Sequence, residues 1–89
     1  MAFLSISEDL AAAADEELDR ACDLSWRDLS GIIPWGDSYE GVTPGGRDAV
    51  FERNYIWAEG PKGDICVEVF VHLPRDFEQG AKRTRLIKR

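Results

Sequence analysis

Ile65-Cys66-Val67-Glu68-Val69-Phe70-Val71-His72-Leu73 is the stretch whose reading decides the fold. Its odd positions, Ile65, Val67, Val69, Val71 and Leu73, are all aliphatic, and its even positions are the mixed set Cys66, Glu68, Phe70 and His72. Alternation with period two and β-branched enrichment is the pattern of a half-buried antiparallel strand. Asp48 to Ala58 alternates as well, with Ala49, Phe51, Arg53, Tyr55 and Trp57 on one face and Val50, Glu52, Asn54, Ile56 and Ala58 on the other. Between the two runs, Glu59-Gly60-Pro61-Lys62-Gly63-Asp64 reads as a turn, so the spacing predicts a β-hairpin over about residues 48–73. Pro74 closes it.

Beyond the hairpin, Asp76 to Gly80 reads as a polar loop. Lys82 to Lys88 alternates again and predicts a basic C-terminal strand at about 82–88, its lysines and arginines suited to a sheet edge. At the other end of the chain, Ser5-Ile6-Ser7-Glu8 has the S-x-x-E spacing of a capping box, and Ser7 is an equally suitable cap. Ile6, Leu10, Ala14, Leu18 and Cys22 then fall four apart, widened by Ala13 and Ala21, which predicts a helix at about 7–23 with one apolar stripe. Its outer face reads as acidic, with Asp9, Asp15, Glu16, Asp19 and Asp23, and with Glu16 paired to Arg20 one turn on.

Residues 24–46 are the least determined. Leu24 to Leu29 suggests one helical turn with Ser25 capping toward Asp28. Ile32 to Trp35 is extended ahead of Pro34, and Gly36-Asp37-Ser38 reads as a turn. Tyr39 to Thr43 reads as a short strand and Pro44-Gly45-Gly46 as a further turn. The expectation is a single α+β domain over residues 1–89, an N-terminal helix packed on a small antiparallel sheet of three or four strands.

With 44% hydrophobic residues, the chain is too apolar for a disordered segment. No run approaches the roughly 20 apolar residues of a membrane span. Met1 to Ile6 lacks the basic start of a secretory signal, so a cytoplasmic location is expected. Two cysteines, Cys22 and Cys66, fit that compartment and read as thiols packed like small hydrophobes. All 17 acidic residues precede Lys82 and share that segment with six of the eleven bases, for a net −11; the last eight residues carry five bases and no acid, for +5. An acidic body of this kind disfavours nucleic acid as a partner, and attracts either a basic protein or the chain's own tail.

Catalytic and metal chemistry find few residues. Cys66 and His72 share a strand face but lie about 20 Å apart along it, too far to hold one ion. His72 is the single histidine, with no nucleophile or orienting acid placed beside it by spacing. Gly45-Gly46-Arg47 lacks the lysine and hydroxyl of a phosphate loop. No cofactor or metal is therefore expected, and no enzyme activity.

What remains is recognition of a partner. Trp35, between Pro34 and Gly36, reads either as an interface anchor or as a plug at the end of the core. Tyr39 follows in the same segment, and Arg53, Tyr55 and Trp57 share one strand face; Trp, Tyr and Arg dominate interface energetics. That face is open to a partner only if the helix covers the opposite one. The basic tail, Lys82, Arg83, Arg85, Lys88 and Arg89, reads as a solvated edge strand paired to the acidic helix, with nucleic-acid binding as the competing reading; the helix itself has nucleic-acid mimicry as its competitor. The function expected is a small protein-interaction module, accessory or inhibitory, present as a monomer or weak homodimer. The alternatives are nucleic-acid binding and a small ligand-binding or enzymatic domain centred on His72.

Overall fold

Helix α1 spans Ile6–Ala21, and the computed structural model describes residues 4–89. The reading of Met1 to Phe3 as no secretory start falls outside that range. The capping box forms as the spacing predicts. The Glu8 backbone N–H donates to Ser5 Oγ at 3.1 Å, and the Ser5 N–H donates to the Glu8 carboxylate at 3.2 Å. Leu10, Ala13, Ala14, Leu18 and Ala21 make the buried stripe, while Ile6 is exposed. The helix ends at Ala21 with Cys22 as its C-cap, two residues short of expectation, where the C-terminal end of its dipole disfavours Asp23. Ser25 caps the short α2 (Trp26–Ser30) by accepting from the Asp28 N–H at 3.1 Å.

Four strands follow: β1 (Trp35–Val42), β2 (Asp48–Trp57), β3 (Ile65–Leu73) and β4 (Asp76–Ile87), paired in sequence order as an antiparallel meander. The protein is thus α+β, an N-terminal helix on a four-stranded antiparallel sheet. Two expectations are corrected. Gly36-Asp37-Ser38 is strand, not turn, facing Asn54, Arg53 and Glu52 of β2. The glycine is needed there, since a side chain would run into that of Asn54 and sit 2.9 Å from the Arg53 carbonyl oxygen. Asp76 to Gly80 is likewise strand, so β4 begins six residues earlier than expected. Leu73 pairs with Asp76 across Pro74-Arg75, with a bulge between His72 and Leu73. Gly80 leaves room for the Phe70 ring, which a β-carbon there would meet at 2.7 Å or closer. In both segments a partner strand overrides weak local propensity.

The helix covers the odd-numbered face of the sheet. Ile65, Val67, Val69 and Val71 are fully buried beneath it, with Ala49, Phe51 and Tyr55 beside them. Alanines at the contact let the helix backbone approach closely. A fully buried valine or leucine contributes about 1.5–3 kcal/mol, so this stripe is the principal attachment. Trp26 Nε1–H donates to the Gly63 carbonyl at 2.7 Å and fastens α2 to the β2–β3 turn.

Asp9 is not part of a solvated acidic face; it is completely buried. Its carboxylate accepts from Thr43 Oγ1 at 2.5 Å, the Gly45 N–H at 2.7 Å and Arg47 at 2.7 Å. The first turn of α1 thereby grips the β1–β2 turn. A side chain at Gly45 would strike the carboxylate, at 2.7 Å. Burial pushes the Asp9 carboxyl up, but hydrogen bonds from Thr43, Arg47 and Gly45, with the charge of Arg47, outweigh it and hold the group below the ordinary carboxylate value. A lowered folded value means that this stabilisation is complete above the unfolded pKa of about 3.9 and is lost as pH falls through the folded one. Asp9→Asn should therefore cost about 3 kcal/mol at neutral pH and flatten the acid limb of the stability curve, as urea titrations at stepped pH would measure. An unchanged acid limb would refute the assignment.

Candidate protein-docking site

Trp35, Asp37 and Tyr39 alternate along β1 and so project to the helix side of the sheet, at its edge. Arg53 lies opposite Asp37 on β2. Its guanidinium donates to both Asp37 oxygens, from Nε at 2.8 Å and from a terminal nitrogen at 2.5 Å. The same group lies between two aromatic rings, its central carbon 5.7 Å from the centroid of Trp35 and 5.7 Å from that of Tyr39. Bidentate pairing and cation–π contact both require this planar cation. Hydrogen bonding to Asp37 raises the Arg53 pKa above its ordinary value.

The cluster is tied to the helix by Glu17, which is 1% exposed. Tyr39 Oη–H donates to Glu17 at 2.5 Å and Arg20 donates at 2.8 Å, while Arg53 lies 3.8 Å away. The helix pair is thus Glu17–Arg20, in place of the expected Glu16–Arg20; Glu16 is exposed. Beneath the site, Tyr39 stacks on Phe51 with centroids 5.1 Å apart, and Trp35 packs on Tyr55 at 5.3 Å. The outward parts of Trp35 and Tyr39 stay in solvent, each residue 39% exposed.

Of the five aromatic and arginine positions singled out by sequence, Trp35, Tyr39 and Arg53 come together. Tyr55 and Trp57 do not join them at the surface. Their strand face is the one the helix covers, so the open Arg53-Tyr55-Trp57 surface does not exist. Tyr55 is core, its hydroxyl donating to the Ala21 carbonyl at 3.1 Å. Trp57 packs with Trp26, centroids 6.1 Å apart. Sequence reasoning missed Asp37 and Glu17. Asp37 stands midway between Trp35 and Tyr39, a period-two signal that the turn reading of Gly36-Asp37-Ser38 concealed. Glu17 sits seven residues after Leu10 and three after Ala14, inside the buried stripe rather than outside it.

The basic tail is engaged within the protein. Arg83 and Arg85 of β4 donate to Asp15 and Asp19 of α1 at 2.9 and 3.0 Å. Lys82 meets Glu68 at 3.4 Å, and Lys88 meets Asp64 at 3.2 Å. Arg89 lies over Trp26, 5.5 Å from the ring. The tail is bound to the protein's own acids. His72 is 2% exposed, its ring between Phe70 and Phe77, with Nδ1 donating to the Leu73 carbonyl at 2.8 Å and Nε2 facing Glu52 at 2.8 Å. Cys22 packs against the core on the helix side, and Cys66 lies on the opposite face of the sheet. Among the described residues no group of three or more acids, histidines or cysteines is placed to hold a metal ion. No helix there is long and apolar enough to cross a membrane.

The arrangement belongs to a two-layer α+β protein with an aromatic–arginine patch beside an open strand edge. The chain matches no family model, no curated protein and no solved structure.

Burial, then the bond to Glu17, pushes the Tyr39 phenol up to about 12. A raised folded value keeps its contribution to stability intact below the unfolded pKa of about 10 and removes it as pH rises through the folded one. Ultraviolet titration should show Tyr39 ionising near 12, and Glu17→Gln should bring that midpoint down toward 10. A midpoint near 10 in the unsubstituted protein would show that neither the burial of Tyr39 nor its bond to Glu17 holds in solution.

Proposed function

We propose that this protein is a non-enzymatic protein-interaction module, an accessory or inhibitory factor that occupies a partner's surface through Trp35 and Tyr39. One observation carries the reading: two exposed aromatic rings are held in place by Arg53 clamped between them. Anchors fixed before binding lose little side-chain entropy when a partner arrives. The strand edge adds to the argument. The Thr43 N–H donates to the Arg47 carbonyl, and antiparallel ladders alternate with period two. Even-numbered residues of β1, Gly36 to Val42, therefore turn their backbone groups outward. The β4 edge is guarded by lysine and arginine, whereas β1 carries neither. Glu40, exposed on β1, favours a basic segment on this edge.

Two competing readings have less support. The bases that a nucleic-acid reading would use are engaged by Asp15, Asp19, Glu68 and Asp64. A catalytic reading would need the His72 ring accessible, and it is closed in by Phe70 and Phe77. The cytoplasmic location belongs to this proposal, and two free cysteines fit it.

Affinity capture from the native host's lysate tests the reading. Trp35→Ala and Tyr39→Ala should each reduce recovery of the captured protein by about tenfold or more, the loss of a typical anchor of about 1.4–2 kcal/mol. Nuclease treatment should change nothing, and far-ultraviolet circular dichroism should confirm that both variants fold. Undiminished capture by both variants would remove the proposal, and capture abolished by nuclease would replace it with nucleic-acid binding.

A further inference from the structure

Among the described residues, no helix or strand layer covers the second face of the sheet. Antiparallel sheets that face water normally present polar side chains. This one presents Val50 and Ile56 of β2, Phe70 of β3 and Leu86 of β4, with Ile56 37% and Leu86 47% exposed. Val42 and Phe77, 64% and 69% exposed, extend the apolar surface. These side chains fall in two groups, Ile56 with Leu86 at one end and Phe70, Val50 and Val42 toward the other, with Asn54, Glu68 and Thr84 between them; exposed apolar side chains rimmed by polar ones mark an interaction site.

The charges on this face have one dominant sign. Register places Glu40, Asp48, Glu52 and Glu68 on it, against Lys82, which is already bonded to Glu68 at 3.4 Å. Glu52, Asn54, Glu68, Phe70 and Lys82 border a shallow groove of about 290 Å³. A guanidinium or ammonium lying on the Phe70 ring there would meet the carboxylates of Glu52 and Glu68, sharing the first with His72 and the second with Lys82.

We propose that this face is a second docking surface and that it takes a basic amphipathic helix of a partner protein. The covered face supplies the template. There a 16-residue helix lays an apolar stripe on the strands, and its acids Asp15 and Asp19 meet Arg83 and Arg85. The open face offers the same strands with the charges inverted, so its complement is a helix whose apolar stripe is flanked by lysine or arginine. Four strands about 4.8 Å apart and some ten residues long make roughly 600 Å². That is smaller than the roughly 800 Å² per partner of a standard protein interface, and suits a single helix. A second copy of this chain is disfavoured, because it would set acidic face against acidic face. The inference does not rest on the Trp35 and Tyr39 rings, and shares only Glu40 and Val42 with the β1 edge.

The test is an NMR titration of the full chain with two synthetic amphipathic peptides of identical pattern, one of leucine and lysine, the other of leucine and glutamate. The leucine–lysine peptide should bind with micromolar affinity, shifting the amide signals of Val50, Ile56, Phe70 and Leu86, and should weaken with added salt. The leucine–glutamate peptide should leave them in place. Glu68→Lys and Ile56→Asp should each reduce affinity about tenfold or more, while Trp35→Ala should leave it unchanged. Both substitutions are at partly exposed positions, and the dispersion of their amide spectra reports whether each folds. Equal binding of the two peptides, shifts confined to α1, no shifts at millimolar peptide, or a dimer burying this face in sedimentation would each overturn the proposal.

Discussion

Two buried carboxylates on one helix set the geometry of everything else. Asp9 and Glu17 lie on the flank of α1 that faces β1 and β2, and each is at most 1% exposed. A carboxylate removed from water is costly unless every lone pair finds a donor. Asp9 finds Thr43, Gly45 and Arg47; Glu17 finds Tyr39 and Arg20, with Arg53 near. Among the described residues, no buried side-chain polar atom lacks a partner. The apolar stripe supplies the attraction between helix and sheet but permits sliding. The two carboxylates fix where the helix stops, because only one position satisfies both. The opposite flank carries the exposed pairs Asp15–Arg83 and Asp19–Arg85, which water and salt screen and which contribute little on their own.

Much of this architecture was legible in the sequence, and the failures have a common cause. Alternation at Ile65–Leu73 announced β3 because β-branched side chains, burial and period all agree there. The Ser5–Glu8 box and the Ser25 cap were legible because they are contained within four residues. The strand at Gly36–Ser38 was hidden because glycine, aspartate and serine favour turns locally, and only the neighbouring strand makes extension the better state. Asp9 and Glu17 were hidden for a related reason. Charge suggested the solvated side for Asp9, while the place of Glu17, seven residues after Leu10, pointed inward. Position was the sounder guide, since a carboxylate with enough donors can occupy a core site.

The candidate site shows the same division. Trp35, Tyr39 and Arg53 were identifiable by residue type, whereas what joins them, Asp37 and Glu17, was not. Which sheet face the helix would cover was undetermined, and the answer reverses the expected roles of several residues. Tyr55 becomes support for Trp35 rather than a contact for a partner, and Phe70 and Leu86 become surface. The alanines of the helix stripe and the valines of β3 match in size across the covered face, whereas the even positions mix charge, amide and ring. That contrast assigns the faces once the topology is known.

The meander joins each strand to its neighbour by a short turn, yet the helix that opens the chain rests against the strand that ends it. Asp15 and Arg83 are 68 residues apart in sequence and in contact in space. A ribosome makes the chain from the N-terminus at about 5–20 residues per second, so α1 emerges first and β4 last. For several seconds the helix has an apolar stripe and nothing to set it on. The helix packs on β3 as well as β4, so its stripe is covered in full only after β4 has joined the sheet. Before that moment its own unfinished sheet and any nearby apolar surface compete for the same helix.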